Sequence, residues 1–445
     1  MSVQVPVYNE KYVIEGLLQA LAELNYPKHL FEVQVLDDST DETIDIIDRK
    51  VAETRTQGFS FSVLRRQTRK GYKAGALAHG LANCKGDLVA IFDADFRPQP
   101  NFILSLLSHF DDGSVGSVQA RWGHLNGDQN FLTRIQAGLL NMHFKIEQEG
   151  RYKAGYFNNF CGTAGIWRKQ CIADAGGWDG DILSEDLDLS YRAQLKGWRI
   201  VYDNNVVVAA QLPAGVEAFK IQQFRWTKGI AQTAKKTLKN LWRQRLPPAK
   251  KLHGVFHLLD SLTFVCLLAN GLLTLPLLQL RHQYPLFINL TNYTAIGVTN
   301  LIALGYLCYA STEPGATKNF RFIKMYPLFV VVYLAMSVQN AVAVLQGLAG
   351  MPSPFVRTPK FESKSSHSRV TKFSWILLLE AGLLIYFIYG IGLCFYYSDY
   401  FFLLFFMLMC CGLIILLYPF VLTLLTKNFD LQKQLLHKLK KAFLL

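Results

Sequence analysis

The sequence predicts an α/β domain built on a mostly parallel sheet, followed by an α-helical membrane region. Three observations carry this. Strand-like runs alternate with helical patterns through the first half, and acids stand at the strand ends. From about 254 to 425 the 445-residue chain is dominated by long apolar stretches. The Lys and Arg that bring the formal net charge to +13 cluster at 228–251, 318–324, 357–372 and 427–441, flanking those stretches. That pattern fits a basic inner side and contact with anionic membrane lipids. No run of base-stacking aromatics accompanies the basic clusters, so no nucleic acid partner is expected. The cysteines (Cys84, Cys161, Cys171, Cys266, Cys308, Cys394, Cys410 and Cys411) contain no Cys-x-x-Cys pair, which leaves neither a disulfide framework nor a zinc site.

Met1 leads straight into a strand, Ser2-Val-Gln-Val-Pro-Val7, so no signal peptide is expected. Tyr8-Asn-Glu10 turns the chain. Ile14, Leu17, Leu18 and Leu21 then recur at helical spacing. A second strand, Phe31-Glu-Val-Gln-Val-Leu36, ends in Asp37 and Asp38, and Thr40 or Asp41 caps the helix after it. A third strand is Ser60-Phe-Ser-Val-Leu64. Arg69-Lys-Gly-Tyr-Lys-Ala-Gly75 is a Gly-rich basic turn entering a helix. The fourth strand, Leu88-Val-Ala-Ile-Phe-Asp-Ala-Asp95, runs into two carboxylates one residue apart. That spacing lets Asp93 and Asp95 converge on one hard divalent cation with substrate phosphates as further ligands. Taken alone, Asp-x-Asp reads equally as a solvated turn. Val115-Gly-Ser-Val-Gln119 is a fifth strand. With no Walker loop and no G-x-G-x-x-G, the alternation argues a nucleotide-binding sheet of another kind. Asp38 then suits a base or ribose, or caps a helix, and Lys73 beside Gly75 suits a nucleotide, or a solvated loop.

After 150 the chain turns glycine- and aromatic-rich. Phe160-Cys-Gly-Thr-Ala-Gly165 reads as a close-packed pocket wall, or as a tight turn. Ser184-Glu-Asp186 opens a helix in which Leu187, Tyr191, Ala193 and Leu195 supply apolar contacts. Acids there serve the helix dipole or a general base. Gln222-x-x-Arg225-Trp226 lies in a basic amphipathic segment, where Trp226 offers a flat face for a sugar and Arg225 a fork for phosphate. An interfacial helix with a Trp anchor is compatible with both.

Eight motifs in this order resemble the membrane-embedded β-glycan synthases of glycosyltransferase family 2, which include cellulose synthase and mannan and glucan synthase-like enzymes. They are Val5-Pro-Val-Tyr-Asn-Glu10, Leu36-Asp-Asp38, Lys73-Ala-Gly75, Asp93-Ala-Asp95, Phe160-Cys-Gly-Thr163, Ser184-Glu-Asp186, Gln222-x-x-Arg225-Trp226 and Phe355-Val-Arg-Thr-Pro-Lys360. The resemblance covers residues 1 to about 372. It implies a Rossmann-like GT-A nucleotide-sugar domain. Asp38 and Lys73 would hold the nucleotide, and Asp93 and Asp95 would bind Mg2+ or Mn2+ and the diphosphate. Asp186 would be the general base of an inverting transfer. Cys161, Gly162, Thr163, Gln222, Arg225 and Trp226 would line the acceptor site. Phe355, Thr358 and Lys360 would belong to a mobile gating loop. Two features depart from the family pattern. Its usual Thr-Glu-Asp is here Ser184-Glu185-Asp186, and its usual first transmembrane helix has no counterpart before Ser2.

Residues 254–280, 286–311, 374–397 and 401–425 are long enough to span a membrane, and 322–348 is a fifth apolar stretch. If the basic segments 228–251, 318–324, 357–372 and 427–441 all lie on the cytosolic side, 322–348 does not cross. Pro327 and Gln339-Asn340 fit an interfacial or re-entrant helix. The expected organisation is a cytosolic domain over 1–215, amphipathic interface helices over 216–252, and a transmembrane region over 253–445 with a gating-like loop at 350–372. Asp260, Asn270, Asn300 and Glu380 either line a polar tunnel or bond between helices. The leading expectation is a multi-pass glycosyltransferase of an inner, plasma or Golgi membrane. It would transfer sugar from a UDP- or GDP-hexose to a growing β-linked polysaccharide and extrude it. The rivals are a non-processive enzyme making a glycolipid such as glycosyl diacylglycerol, and a catalytically inactive membrane scaffold.

Overall fold

The structure is a computed structural model that describes residues 1–284, 294–312, 315, 318–353, 355–358 and 375–425. The first half comprises β1 (Ser2–Val7), α1 (Ile14–Ala22), β2 (Glu32–Asp37), α2 (Thr43–Thr56), β3 (Ser60–Leu64), α3 (Tyr72–Asn83) and β4 (Leu88–Ile91). Val3, Val5, Val33, Val35, Val89, Ala90 and Ile91 are fully buried, as strands covered on both faces require. The helical spacing of Ile14, Leu17, Leu18 and Leu21 buries all four. Asp41 Oδ1 accepts the Thr43 N–H at 3.0 Å and starts α2.

The chain continues through α4 (Phe102–Leu107), β5 (Val115–His124), α5 (Phe131–Met142), a π-helical turn (His143–Gln148) and α6 (Glu149–Lys153). It then forms β6 (Gly165–Arg168), α7 (Lys169–Asp174), α8 (Glu185–Leu195) and β7 (Arg199–Ala210). The seven strands make one sheet in the order β3-β2-β1-β4-β6-β5-β7. β1 to β4 are parallel, β6 runs antiparallel between β4 and β5, and β7 is parallel to β5. The winding goes outward to β3, then returns to β4 on the other side of β1. Ligands of open α/β sheets bind at such a switch point, outside the carboxyl ends.

Two strands and part of a third were not expected from sequence. β6 is four residues long and follows a glycine-rich run. β7 carries Asp203-Asn204-Asn205 in its middle, where the register against β5 jumps from Ala120↔Asp203 to Arg121↔Val207. That irregularity interrupts the strand's pattern, yet beyond it β7 extends the pairing of β5 out to His124.

Among the described residues seven helices follow: α9 (Val216–Arg243), α10 (Pro248–Leu259), α11 (Leu262–Gln283), α12 (Thr294–Ser311), α13 (Lys318–Ala349), α14 (Trp375–Tyr396) and α15 (Leu403–Leu425). Among the described residues, four are long and apolar enough to cross a membrane: Leu262–Gln283, Lys318–Ala349, Trp375–Tyr396 and Leu403–Thr423. α13, expected to be interfacial over 322–348, is thus one of the four. The expected span 286–311 lies partly outside the described residues, as do much of the 350–372 loop and the basic tail.

α13 begins beside the end of α12, with Phe322 against Tyr309 at 5.4 Å, and Cys308 meets Met142 of α5 at 3.9 Å. Its other end rests on α9, where a Cβ on Gly347 would come within 2.8 Å of the Lys228 carbonyl. One apolar cluster joins Leu132 and Ile135 of α5, Phe219 of α9, Leu278 of α11, Val332 of α13, Phe387 of α14 and Phe406 of α15. The sheet domain is therefore packed on the apolar helices by a shared core.

Candidate active site

The carboxyl ends of β1, β2 and β4 open into one cleft, roofed by α8, α9 and residues 355–358. Asp38, Lys73, Asp93, Asp95, Cys161, Gly162, Asp186, Gln222, Arg225, Trp226, Phe355 and Thr358 all line it. Thr163 sits one layer below. It is fully buried and its hydroxyl accepts the Asp93 N–H at 2.9 Å, so it shapes the end of β4. Lys360 lies outside the described residues.

The acidic floor is held by cations. Lys73 Nζ meets Asp93 Oδ1 at 2.6 Å and donates to the Gly162 carbonyl at 2.9 Å. Burial alone would lower the Lys73 pKa, but Asp93, Glu185 and Asp186 outweigh it and hold the ammonium above the ordinary lysine range. Asp93 and Asp95 give two hard oxygen donors on one wall of the cleft. Mg2+ sites commonly use one or two carboxylates plus substrate phosphates, so these residues fit that type of cation. Among the described residues, no group of three or more His, Cys, Asp or Glu is arranged to hold a metal without such help.

Asp186 stands opposite, in the first turn of α8. Burial raises its pKa, and the same effect, with Asp186 adding to it and Lys73 opposing, pushes Glu185 up to about 7. Gly162 (φ +83°) is what lets the wall pass so close: a Cβ there would lie 2.9 Å from Asp186 Oδ2 and 3.4 Å from Lys73 Nζ. Gly229 performs the matching service for α9, since a Cβ at that position would come 2.0 Å from Ser184 Oγ.

Several contacts of the cleft were not expected from sequence. Arg66 grips Asp38 with two nitrogens and also donates to the Lys70 and Tyr72 carbonyls, so it fixes the basic turn. Arg69 lies over the Tyr8 ring at 3.3 Å. Burial lowers its pKa. Phe355 stacks on Tyr72 at 5.9 Å, and the Arg225 guanidinium sits 4.5 Å from its centroid. Arg357 binds Glu10 with both nitrogens at 2.7 and 2.6 Å. Burial opposes its charge, but Glu10 more than compensates and raises its pKa. Trp122 stands 6.3 Å from Trp226. Local sequence signalled only part of this: Glu10 ends the Val-Pro-Val-Tyr-Asn-Glu motif and Arg357 lies in the Phe355–Lys360 motif, but neither motif points to the other.

The family model for glycosyl transferase family group 2 matches residues 88–424, and that for glycosyl transferase family 2 matches residues 2–172. The chain belongs to this glycosyltransferase family. It is 36% identical over 356 residues to a probable glucomannan 4-beta-mannosyltransferase 4 of Oryza sativa subsp. japonica, covering 78% of this chain and 62% of the relative. It is 36% identical to glucomannan 4-beta-mannosyltransferase 1 of Cyamopsis tetragonoloba, over 65% of this chain and 58% of the relative. The chain thus spans about three fifths of the length of these curated relatives. A rice glucomannan 4-beta-mannosyltransferase 1 is 34% identical over 84% of this chain and 72% of its own length. In fold, the chain is similar to a mannosyltransferase from Pyrobaculum calidifontis solved with GDP-Man and Mn2+. The TM-score is 0.50, with 21% identity over 77% of this chain and 86% of that one. The mostly parallel sheet is accordingly of the GT-A kind.

Proposed function

We propose that this protein is a membrane glycosyltransferase that moves a hexosyl group, mannosyl by the names of its relatives, from a nucleoside diphosphate sugar to a growing β-linked glycan. The observation that carries the reading is the meeting in one cleft of Asp93 and Asp95, Asp186, and the Gln222–Trp226 face of α9. Asp38 and the ring of Tyr8 receive the nucleoside, and Lys73, Arg225 and Arg357 face the diphosphate. Mg2+ or Mn2+ held by Asp93 and Asp95 would offset charge on the departing diphosphate. Asp186 takes the proton from the acceptor hydroxyl while that oxygen attacks the anomeric carbon from the side opposite the leaving group, inverting it. Its raised pKa suits a base that must hold a proton after attack. Trp226 gives the acceptor a flat surface and fixes its approach.

The sheet domain lies on the cytosolic side in this reading. α11, α12, α14 and α15 cross, and α13 lies along the inner face. Parity constrains it: the chain leaves α9 for the apolar helices and is back on α9 at Gly347 and on Glu10 of the sheet domain at Arg357, so an even number of crossings separates them, a number that α11 and α12 make. Reporter fusions that place residue 350 on the far side would remove this topology.

The decisive assay incubates purified protein with a panel of GDP- and UDP-hexoses and Mg2+ or Mn2+. Label should enter a long glycan, and Asp186→Asn should abolish transfer while leaving nucleotide binding intact. Recovery of label only in a chloroform-soluble lipid would replace the glycan reading by a glycolipid one.

A further inference from the structure

α9 has two working sides. One carries Gln222, Arg225 and Trp226 into the cleft, and Gly229 brings it against Ser184, next to the acids of α8. The other side meets the apolar helices. There Lys220, two residues before Gln222, places its ammonium 2.8 and 2.7 Å from the two carboxylate oxygens of Glu380 on α14. The Glu380 side chain is fully buried and that of Lys220 is 13% exposed. The Gln339 amide of α13 donates to the Lys220 carbonyl at 3.0 Å, which fixes the same turn of α9 from a second helix.

An ionised carboxylate within an apolar helix is costly unless paired, so such groups mark function or a specific contact. Here the pair joins the helix that bears the acceptor-facing residues to a candidate membrane span. Apolar side chains would hold α9 against α14 without fixing its axial position, because dispersion contacts are nondirectional and exchangeable. A buried ion pair with one geometry fixes register.

We infer that Glu380 is a positioning residue: through Lys220 it sets the height of α9 relative to the membrane helices, and so the placement of Trp226 against Asp186. This rests on the reading of α9 as the acceptor helix. Of the groups that face the donor only Arg225 rides on α9; the rest of the donor half, built on β1, β2 and β4, does not depend on the pair. Loss of the pair should therefore separate two activities. Transfer to a glycan acceptor should fall, while hydrolysis of the nucleotide sugar by water should persist.

The experiment uses the full chain in detergent or nanodiscs. Glu380→Gln is the simplest variant. Lys220→Met combined with Glu380→Leu removes both charges and leaves an apolar contact, so it keeps the fold testable. The reversed pair, Lys220→Glu with Glu380→Lys, tests rescue. In the apolar double variant the thermal midpoint should match the parent, hydrolysis should keep most of its rate because only Arg225 of the donor groups lies on α9, and transfer should fall roughly a hundredfold, the scale of an ångström-level misplacement. The reversed pair should recover most of the transfer. Parental transfer in the folded double variant overturns the inference, as does a parallel fall in hydrolysis. Trp226→Ala run alongside separates the two claims. If it leaves transfer unchanged, the acceptor-helix reading fails. If it lowers transfer while the double variant does not, only the clamp fails.

Discussion

Gly162→Ala tests the geometry of the cleft with one methyl group. The backbone at this position is left-handed (φ +83°), where an alanine costs about 1–2 kcal/mol relative to its ordinary conformations. The methyl would also stand 2.9 Å from Asp186 Oδ2 and 3.4 Å from Lys73 Nζ. A comfortable carbon–oxygen separation is about 3.5 Å, so the carboxylate must move by roughly half an ångström. Asp186 has no slack on its other side, because its Oδ1 accepts the Leu187 N–H at 2.8 Å. A shift of that size at a base aligned on an acceptor hydroxyl should lower the transfer rate by about ten- to a hundredfold. Nucleoside diphosphate binding, which we assign to Asp38, Tyr8, Lys73, Arg225 and Arg357, should change less, because of these only Lys73 comes near the methyl and at 3.4 Å it is in ordinary contact. Steady-state transfer, calorimetric titration with the nucleoside diphosphate and a thermal melt together make the assay. Transfer within twofold of the parent, in a protein of unchanged melting temperature, would mean that the wall at 162 and the carboxylate at 186 do not meet as described.

The other expectations follow from single contacts. Arg66→Ala frees Asp38, whose carboxylate is 8% exposed, and removes a charge-assisted contact worth about 1.5–3 kcal/mol of stability, so the melting temperature and the nucleotide affinity should both fall; a titration with unchanged affinity would count against Asp38 as a nucleoside ligand. The Glu185 carboxyl, about 7 in the folded chain against 4.5 ordinarily, binds its proton more tightly when folded. Its contribution to stability is therefore full below about 4.5, declines as pH rises toward about 7 and is constant above. Glu185→Gln should flatten the fall in melting temperature across that window, and identical slopes would refute the assignment. Gly229→Ala forces a methyl against Ser184 and should cost about 1–3 kcal/mol of stability with a matching loss of transfer, read by melting and turnover in the same preparation.

The features legible in the sequence were those set by local chemistry. The apolar runs of β1, β2 and β4 announced strands because their burial on both faces leaves few other options. The acids at their ends were conspicuous because nothing in a buried strand calls for them. Asp93 and Asp95 stood out for that reason and Asp186 as an acid opening a helix, and all three line one cleft. β6 and β7 escaped notice because each depends on a neighbour: β6 is too short to declare itself and β7 is broken by its irregular register against β5. Thr163 was assigned to the acceptor by its motif alone. Its hydroxyl is instead engaged by the Asp93 backbone, which a linear motif does not reveal.

The contacts that could not be read were those between distant segments. Glu10 and Arg357 are 347 residues apart, and Lys220 and Glu380 are 160 apart. In sequence each is a charge beside an apolar or glycine-rich run, with many partners of opposite sign available. Only the fold removes the alternatives, because burial makes an unpaired charge costly and leaves one partner within reach. The same logic explains why the carboxylate in this apolar helix was legible as important but not in purpose. Its cost was visible at Glu380, while the return was at Lys220, on the helix that presents Trp226. Residues of this kind join the chemistry to the membrane, so their substitution should alter where the acceptor sits before it alters whether the donor binds.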